Sequence, residues 1–276
     1  MKEKKHINLT KPLEGNSNTG ILPYQSLKAL IRDGEISGRV PITTQQVQPA
    51  SIDLRLGETA YRVQASFLPG PSHTVKQQID NFCLHKFDLT RGALLEKGCV
   101  YVVPLIETLK LSPALSAVAN PKSSTGRLDV FTRLITDNGS DFDMVPRGYS
   151  GPLYTEIFPR TFSVLARTGT RINQLRLTRG NSEMREAELQ RLLSSEAVLD
   201  RELTEREVST LFRGVPLSVD LSGINGSNFV GFKSKPHAPL VDLDKVAYYD
   251  PRIFWEPIFG NSEQSIILNP DDFYIL

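Results

Sequence analysis

Cysteine is nearly absent: Cys83 and Cys99 are the only two in 276 residues. Two thiols cannot form the dense disulfide framework that holds small secreted domains together, so a reducing, cytoplasmic setting is expected. Histidine is nearly as sparse, with His6, His73, His85 and His237 scattered along the chain, and no zinc cage is written in the Cys and His spacing. An excess of charge of one sign is also missing. The 32 Lys and Arg stand against 31 Asp and Glu, which leaves no field to gather polyanions and argues against nucleic acid as a partner. A local cluster can still hold a phosphate group. Apolar runs are short, and none nears the roughly 20 residues that a membrane-spanning helix needs. Residues Met1–Thr10 are Lys-rich and polar, without the apolar stretch of a signal peptide, so neither export nor membrane insertion is expected.

What the chain has instead is punctuation. Its 18 prolines and 19 glycines separate short segments rich in Val, Ile, Leu, Tyr and Phe. That is the pattern of strands joined by turns, and the fold class is read as all-β. Strands are expected at Ser51–Leu56, Tyr61–Gln64, Cys99–Leu105, Ala114–Ala119, Pro152–Phe158, Ser163–Arg167 and Gln174–Leu177. Helical signals are few. Leu27, Leu30 and Ile31 recur at helical spacing within Tyr24–Arg32, and Gly34 offers a stop. Between Asn181 and Arg213 Glu, Arg and Leu dominate, Leu189, Leu192 and Leu193 share a face, and Thr204 with Glu207 has capping-box spacing. That segment reads as a helical connector.

The length exceeds the roughly 100–200 residues usual for one domain, which favours two. The order of elements also begins again. Tyr24–Gly34 leads into Pro49-Ala50-Ser51-Ile52-Asp53-Leu54, and Glu205–Gly214 leads into Pro216-Leu217-Ser218-Val219-Asp220-Leu221. A helix followed twice by P-x-S-[IV]-D-L is read as a duplicated unit. Gln264–Leu276 resembles Leu94–Leu105, no counterpart of residues 120–177 follows, and the chain stops on the apolar Tyr274-Ile275-Leu276. Termini are normally polar, so a truncated second repeat is expected. The organisation is therefore read as 1–180, carrying the motifs, 181–203 as connector and 204–276 as the start of a second repeat.

The sharpest constellation lies between Asn120 and Leu177. Lys122-Ser123-Ser124-Thr125-Gly126-Arg127 puts two cations, three hydroxyls and a Gly side by side. Such a segment either presents charge-assisted donors to phosphate oxygens or forms a solvated turn. Gly148-Tyr149-Ser150-Gly151-Pro152 makes a turn, and in the strand after it Tyr154, Glu156 and Phe158 share one face. A carboxylate buried among aromatic rings is costly to ionise, which suits it to proton transfer; on an open sheet face it is only solvated. Arg171-Ile172-Asn173-Gln174 carries an amide at Gln174, which alone reads equally as a structural group.

In order, Gln48–Gly57, Lys122–Arg127, Gly148-Tyr149-Ser150-Gly151 through Glu156, and Arg171–Gln174 resemble the dCTP deaminase branch of the trimeric dUTPase-like family. The resemblance covers roughly Leu22–Gly180. It implies a distorted β-barrel, tandemly duplicated here, and active sites where subunits meet in a threefold homo-oligomer. It implies hydrolysis of dCTP to dUTP and ammonia, with Glu156 as the base that activates water and Ser123 and Arg127 orienting that water. Lys122, Ser124, Tyr149, Tyr154, Arg171 and Gln174 would bind substrate, with Tyr149 against the deoxyribose. Magnesium would be held mainly by the triphosphate of dCTP or dUTP, and dTTP is a further candidate ligand. Zinc deaminases need H-x-E and P-C-x-x-C, and neither occurs here.

Two departures stand out. Lys122 occupies a position where an Arg is usual, and Lys cannot reproduce a bidentate fork. Pro146 stands where an Asp is common, with Asp141 and Asp143 nearby but off register. The alternatives left open are a dUTP pyrophosphatase, a bifunctional enzyme, and a non-catalytic nucleotide-binding or scaffold protein. Formation of dUTP, dUMP and ammonia separates them.

Overall fold

The structure is a computed structural model that describes residues 19–181, 185–195, 204, 206–207, 218–224, 226–261 and 265–276. Among the described residues the elements open with β1 (Gly20–Ile21), α1 (Tyr24–Arg32), β2 (Ile36–Gly38), β3 (Ile52–Arg55) and β4 (Thr59–Val63). There follow α2 (Val75–Phe82), β5 (Cys83–Asp88), β6 (Ala93–Leu95), β7 (Val100–Lys110) and β8 (Leu115–Pro121). A single helical turn, α3 (Ser123–Gly126), leads into β9 (Val130–Thr136), β10 (Met144–Val145), β11 (Ser150–Pro159), β12 (Val164–Ala166) and β13 (Arg171–Arg179). Beyond these lie α4 (Glu186–Ser195), β14 (Phe229–Ser234), β15 (Val241–Asp242), β16 (Trp255–Phe259) and β17 (Tyr274–Ile275).

Two sheets enclose the main core. In one, β13 pairs with β1, β3 and β8, and β8 pairs with β10; in the other the order is β5-β4-β7-β11-β9, with β2 added to β7. Strand alternation decides which side chains go inside. Leu153, Thr155 and Ile157 of β11 point into the core with Leu54, Val103, Leu134 and Leu175, all at most 1% exposed. One buried polar network crosses that core. Thr155 Oγ1 donates to Asn173 Oδ1 at 2.9 Å, and Asn173 Nδ2 donates to Thr132 Oγ1 at 3.1 Å, tying β11, β13 and β9 together.

A second buried cluster ties β3 to β7. Glu107, fully buried, accepts at Oε1 from Arg55 Nε at 2.7 Å and from Gln46 Nε2 at 2.8 Å. Its Oε2 accepts from the Arg55 amide at 2.7 Å. Arg55 then donates to the carbonyls of Val40 and Pro41, which anchors the loop before β3.

The expected all-β class is what the chain adopts, and the expected first helix has the bounds of α1. Its end follows the glycine rule. Gly34 is left-handed (φ +79°), its amide donates to Ile31 O, and the Glu35 amide donates back to Leu30 O. The seven expected strands all appear, with β7, β11 and β13 longer than expected. Sequence reading passed over α2, β5 and β9. Thr74 caps α2: its side chain accepts from the Gln77 amide while Gln77 Oε1 accepts from the Thr74 amide at 2.8 Å. Replacing Thr74 by Ala is expected to cost about 1 kcal/mol, measured as a lowered urea midpoint.

The C-terminal third packs on the same core. β15 pairs in parallel with β12, Phe254 packs edge-on against Phe162, and Arg167 holds Asp242 at 2.6 Å and Asp244 at 2.9 Å. β16, β14 and β17 form a separate three-stranded sheet. The repeated hexamer differs between its two occurrences: Ile52–Arg55 is strand, whereas Ser218–Leu221 is irregular, with Pro216 and Leu217 outside the described residues. Of the expected connector, Glu186–Ser195 is helical, and the Thr204–Glu207 capping pair is made, with the Glu207 amide donating to Thr204 Oγ1 at 3.3 Å. The Leu193 side chain and most of Glu205–Gly214 lie outside the described residues.

Candidate active site

β9 and β11 form an antiparallel pair in which Leu153 faces Thr136 and Glu156 faces Arg133. On the other side of β11, Glu156 faces Val102 of β7, and Val102 faces Tyr61 of β4. The row Tyr61, Val102, Glu156, Arg133 therefore crosses the sheet on the face away from the main core. This face is covered by a second apolar cluster in which Val102, Ile135 and Tyr154 pack with Val63, Phe67 and the α2 residues Val75 and Ile79.

Under that cover Glu156 is 2% exposed. The alternative of a solvated surface carboxylate is thereby removed. Its Oε1 accepts from Arg133 Nε at 2.9 Å and from Arg133 Nη2 at 2.5 Å. Its Oε2 is buried and, among the described residues, has no hydrogen-bond partner. The arrangement holds one oxygen with two donors and leaves the other with none, a costly state for a buried polar atom.

The surroundings of the pair are also charged or polar. Arg133 Nη2 donates to Ser66 Oγ at 2.9 Å, and its guanidinium lies 4.0 Å from the Phe142 ring centre. Burial pushes the Asp143 carboxyl above the usual carboxylate range; the Leu134 amide and Arg133 act against this, and Glu156 adds repulsion. Asp143 thus belongs to the same electrostatic neighbourhood as Glu156, although sequence position set it off register. Burial pushes the Tyr154 hydroxyl up to about 12, with further repulsion from Asp137 and Tyr61.

The other expected site residues are placed as follows. Lys122 donates to Asp53 Oδ2 at 2.5 Å, and Asp53 is 2% exposed, so this ammonium neutralises a buried carboxylate. Arg171 lies 3.7 Å from the same Asp53 oxygen and donates to Gln45 O at 2.9 Å. Gln174 is half-buried and accepts from Ser51 Oγ at 3.3 Å. Tyr149 is buried with its hydroxyl donating to Pro152 O at 2.6 Å and accepting from the Asp137 amide at 3.2 Å. That turn is set by Gly148, whose φ of +70° suits glycine.

Ser123 and Ser124 are exposed on α3, and Arg127 Nε donates to Ser123 O at 3.2 Å. The turn sits beyond the Val130 end of β9. At about 3.4 Å per residue, three strand positions put Val130 roughly 10 Å from the Arg133–Glu156 pair. Among the described residues, then, the cation bonded to Glu156 is Arg133, while Arg127 bonds Ser123 O. Sequence reasoning missed Arg133; the only signal for it was the β9–β11 register.

A crystal structure of 2'-deoxycytidine 5'-triphosphate deaminase from Agrobacterium tumefaciens is 46% identical and superposes with a TM-score of 0.87. It covers 94% of this chain and 74% of its own. A dCTP deaminase from Halorubrum lacusprofundi is 29% identical over 136 residues, which are 49% of this chain and 64% of that protein. The sequence model described as the 2'-deoxycytidine 5'-triphosphate deaminase N-terminal domain matches residues 18–181, and that of the C-terminal domain matches residues 185–276. Through both of its halves, the chain belongs to the 2'-deoxycytidine 5'-triphosphate deaminase family.

Proposed function

We propose that this protein deaminates dCTP hydrolytically to dUTP and ammonia, in the cytoplasm, with Glu156 as the proton carrier. The observation that carries this reading is a buried carboxylate with one oxygen fixed by Arg133 and the other unpartnered, in a chain of this family. In the first step Glu156 Oε2 takes a proton from water while the oxygen attacks C4 of cytosine, and that proton passes to N3. Glu156 then carries the proton of the new C4 hydroxyl to N4. The C4–N4 bond breaks, ammonia leaves and the C4 carbonyl forms. Water thus supplies the carbonyl oxygen and both transferred protons.

Ser123 and Arg127 belong to this reading as groups that reach the reacting water from a neighbouring copy in a threefold assembly. Their place on an exposed turn, apart from Glu156 of the same chain, supports it. Ser124 is free on the same turn to meet the triphosphate, whereas Lys122 and Arg171 would act there from their places beside Asp53. The Tyr149 ring would lie against the deoxyribose, its hydroxyl being engaged in the turn. Among the described residues no three His, Cys, Asp or Glu side chains gather as a metal cage. In this reading magnesium arrives with the triphosphate, whose oxygens and water are its ligands.

The test is to incubate the protein with dCTP and magnesium and follow ammonia and nucleotide products, with and without a zinc chelator. Equal amounts of dUTP and ammonia, unaffected by the chelator, are expected. Untouched dCTP together with nucleotide binding would transfer the reading to a non-catalytic binding protein.

A further inference from the structure

We infer that Arg133 is a positioning residue for the proposed base, holding Glu156 by Oε1 so that Oε2 is turned to the reaction. The inference rests on the reading of Glu156 given above. Both guanidinium contacts fall on a single oxygen, Oε1, at 2.9 and 2.5 Å. A fork that spanned both oxygens would occupy the lone pairs a base needs; this one leaves Oε2 without a partner among the described residues. A buried carboxylate needs a paired, hydrogen-bonded cation, and Arg133 supplies one whose charge is permanent, because guanidinium stays protonated in proteins.

Arg133 is itself held from three directions. Strand pairing sets its backbone opposite Glu156, Ser66 Oγ accepts from its Nη2, and the Phe142 ring lies under its plane. Its side chain is 37% exposed against 3% for Glu156, so Arg133 stands between the carboxylate and solvent. The other titratable groups on this face are Asp143, whose carboxylate repels that of Glu156, and the hydroxyls of Tyr154 and Tyr61, with Asp137 near Tyr154. Arg133 is the cation among these named groups, and Asp143 adds to the need for it.

The experiment uses the full chain and measures kcat and KM for dCTP across the pH range for the parent, Arg133→Gln, Arg133→Lys and Glu156→Gln. Arg133→Gln is expected to lose about 10- to 100-fold in kcat at neutral pH, part of the whole general-base contribution. KM changes little. Arg133→Lys keeps a point charge but not the fork, and is expected to recover part of that loss in kcat. A raised KM with unchanged kcat in either variant would overturn the inference and assign Arg133 to nucleotide binding. So would a parent-like kcat in Arg133→Gln. Should that variant not fold, the split between kcat and KM in Arg133→Lys decides. An active Glu156→Gln variant would defeat the reading of Glu156 itself. An inactive one beside a parent-like Arg133→Gln defeats the inference about Arg133 alone.

Discussion

Replacing Glu156 by Gln is expected to lower kcat for dCTP by about 10²- to 10⁴-fold, the usual size of a general acid–base contribution. The amide keeps the shape of the side chain, and its carbonyl oxygen can still accept from Arg133 where Oε1 does now. It cannot take a proton from water at the position of Oε2. The loss should therefore fall on kcat rather than on KM, and the folded structure should survive. Ammonia release under saturating dCTP measures it directly. A variant that retained parent-like kcat would place the base elsewhere, and Asp143, the other carboxylate in the same electrostatic neighbourhood, would be examined next.

Replacing Glu107 by Ala is expected to cost about 3–5 kcal/mol of folding stability, the range found when one partner of a buried ion pair is removed. Three donors lose their acceptor at once: Arg55 Nε, the Arg55 amide and Gln46 Nε2. Arg55 keeps the carbonyls of Val40 and Pro41, but its charge is left in a site where its side chain is only 9% exposed. Since whole-domain stability is typically about 5–15 kcal/mol, the urea midpoint should fall steeply. A double replacement of Arg55 by Met and Glu107 by Leu should recover much of the loss, because the cost comes from the uncompensated charge. A small loss for Glu107→Ala alone would mean that water reaches Arg55 in the folded protein.

Local signals in the sequence were those that the structure follows most closely. The α1 stripe of Leu27, Leu30 and Ile31 ends at Gly34 because the pattern and the stop both act within one turn of chain. Glu156 was legible as a candidate because strand geometry alone sets it on one face with Tyr154 and Phe158, opposite Leu153, Thr155 and Ile157. β9 was not, because its residue types do not follow its burial: Phe131 is apolar yet exposed, whereas Thr132 and Thr136 are polar yet buried. Arg133 was hidden for the same reason, its partner lying 23 residues away across a strand pair. The helix α2 had a written start, Thr74 with Gln77, but only Val75 and Ile79 as buried positions, too short a stripe to stand out. Lys122 was read from its motif as a phosphate ligand; its tie to Asp53 depends on β3, 69 residues earlier.

The parallel pairing of β15 with β12 carries a consequence for the ribosome. Val164 of the barrel waits for Val241, and Arg167 for an aspartate 75 residues downstream. At roughly 5–20 residues per second of synthesis, that separation leaves the flank of β12 uncovered for roughly 4–15 s after it is made. During this interval the nascent chain presents unpaired backbone groups of a kind that invites strand addition from a neighbouring polypeptide. The second half of the protein thus closes that edge of the first only once its own strand has been made.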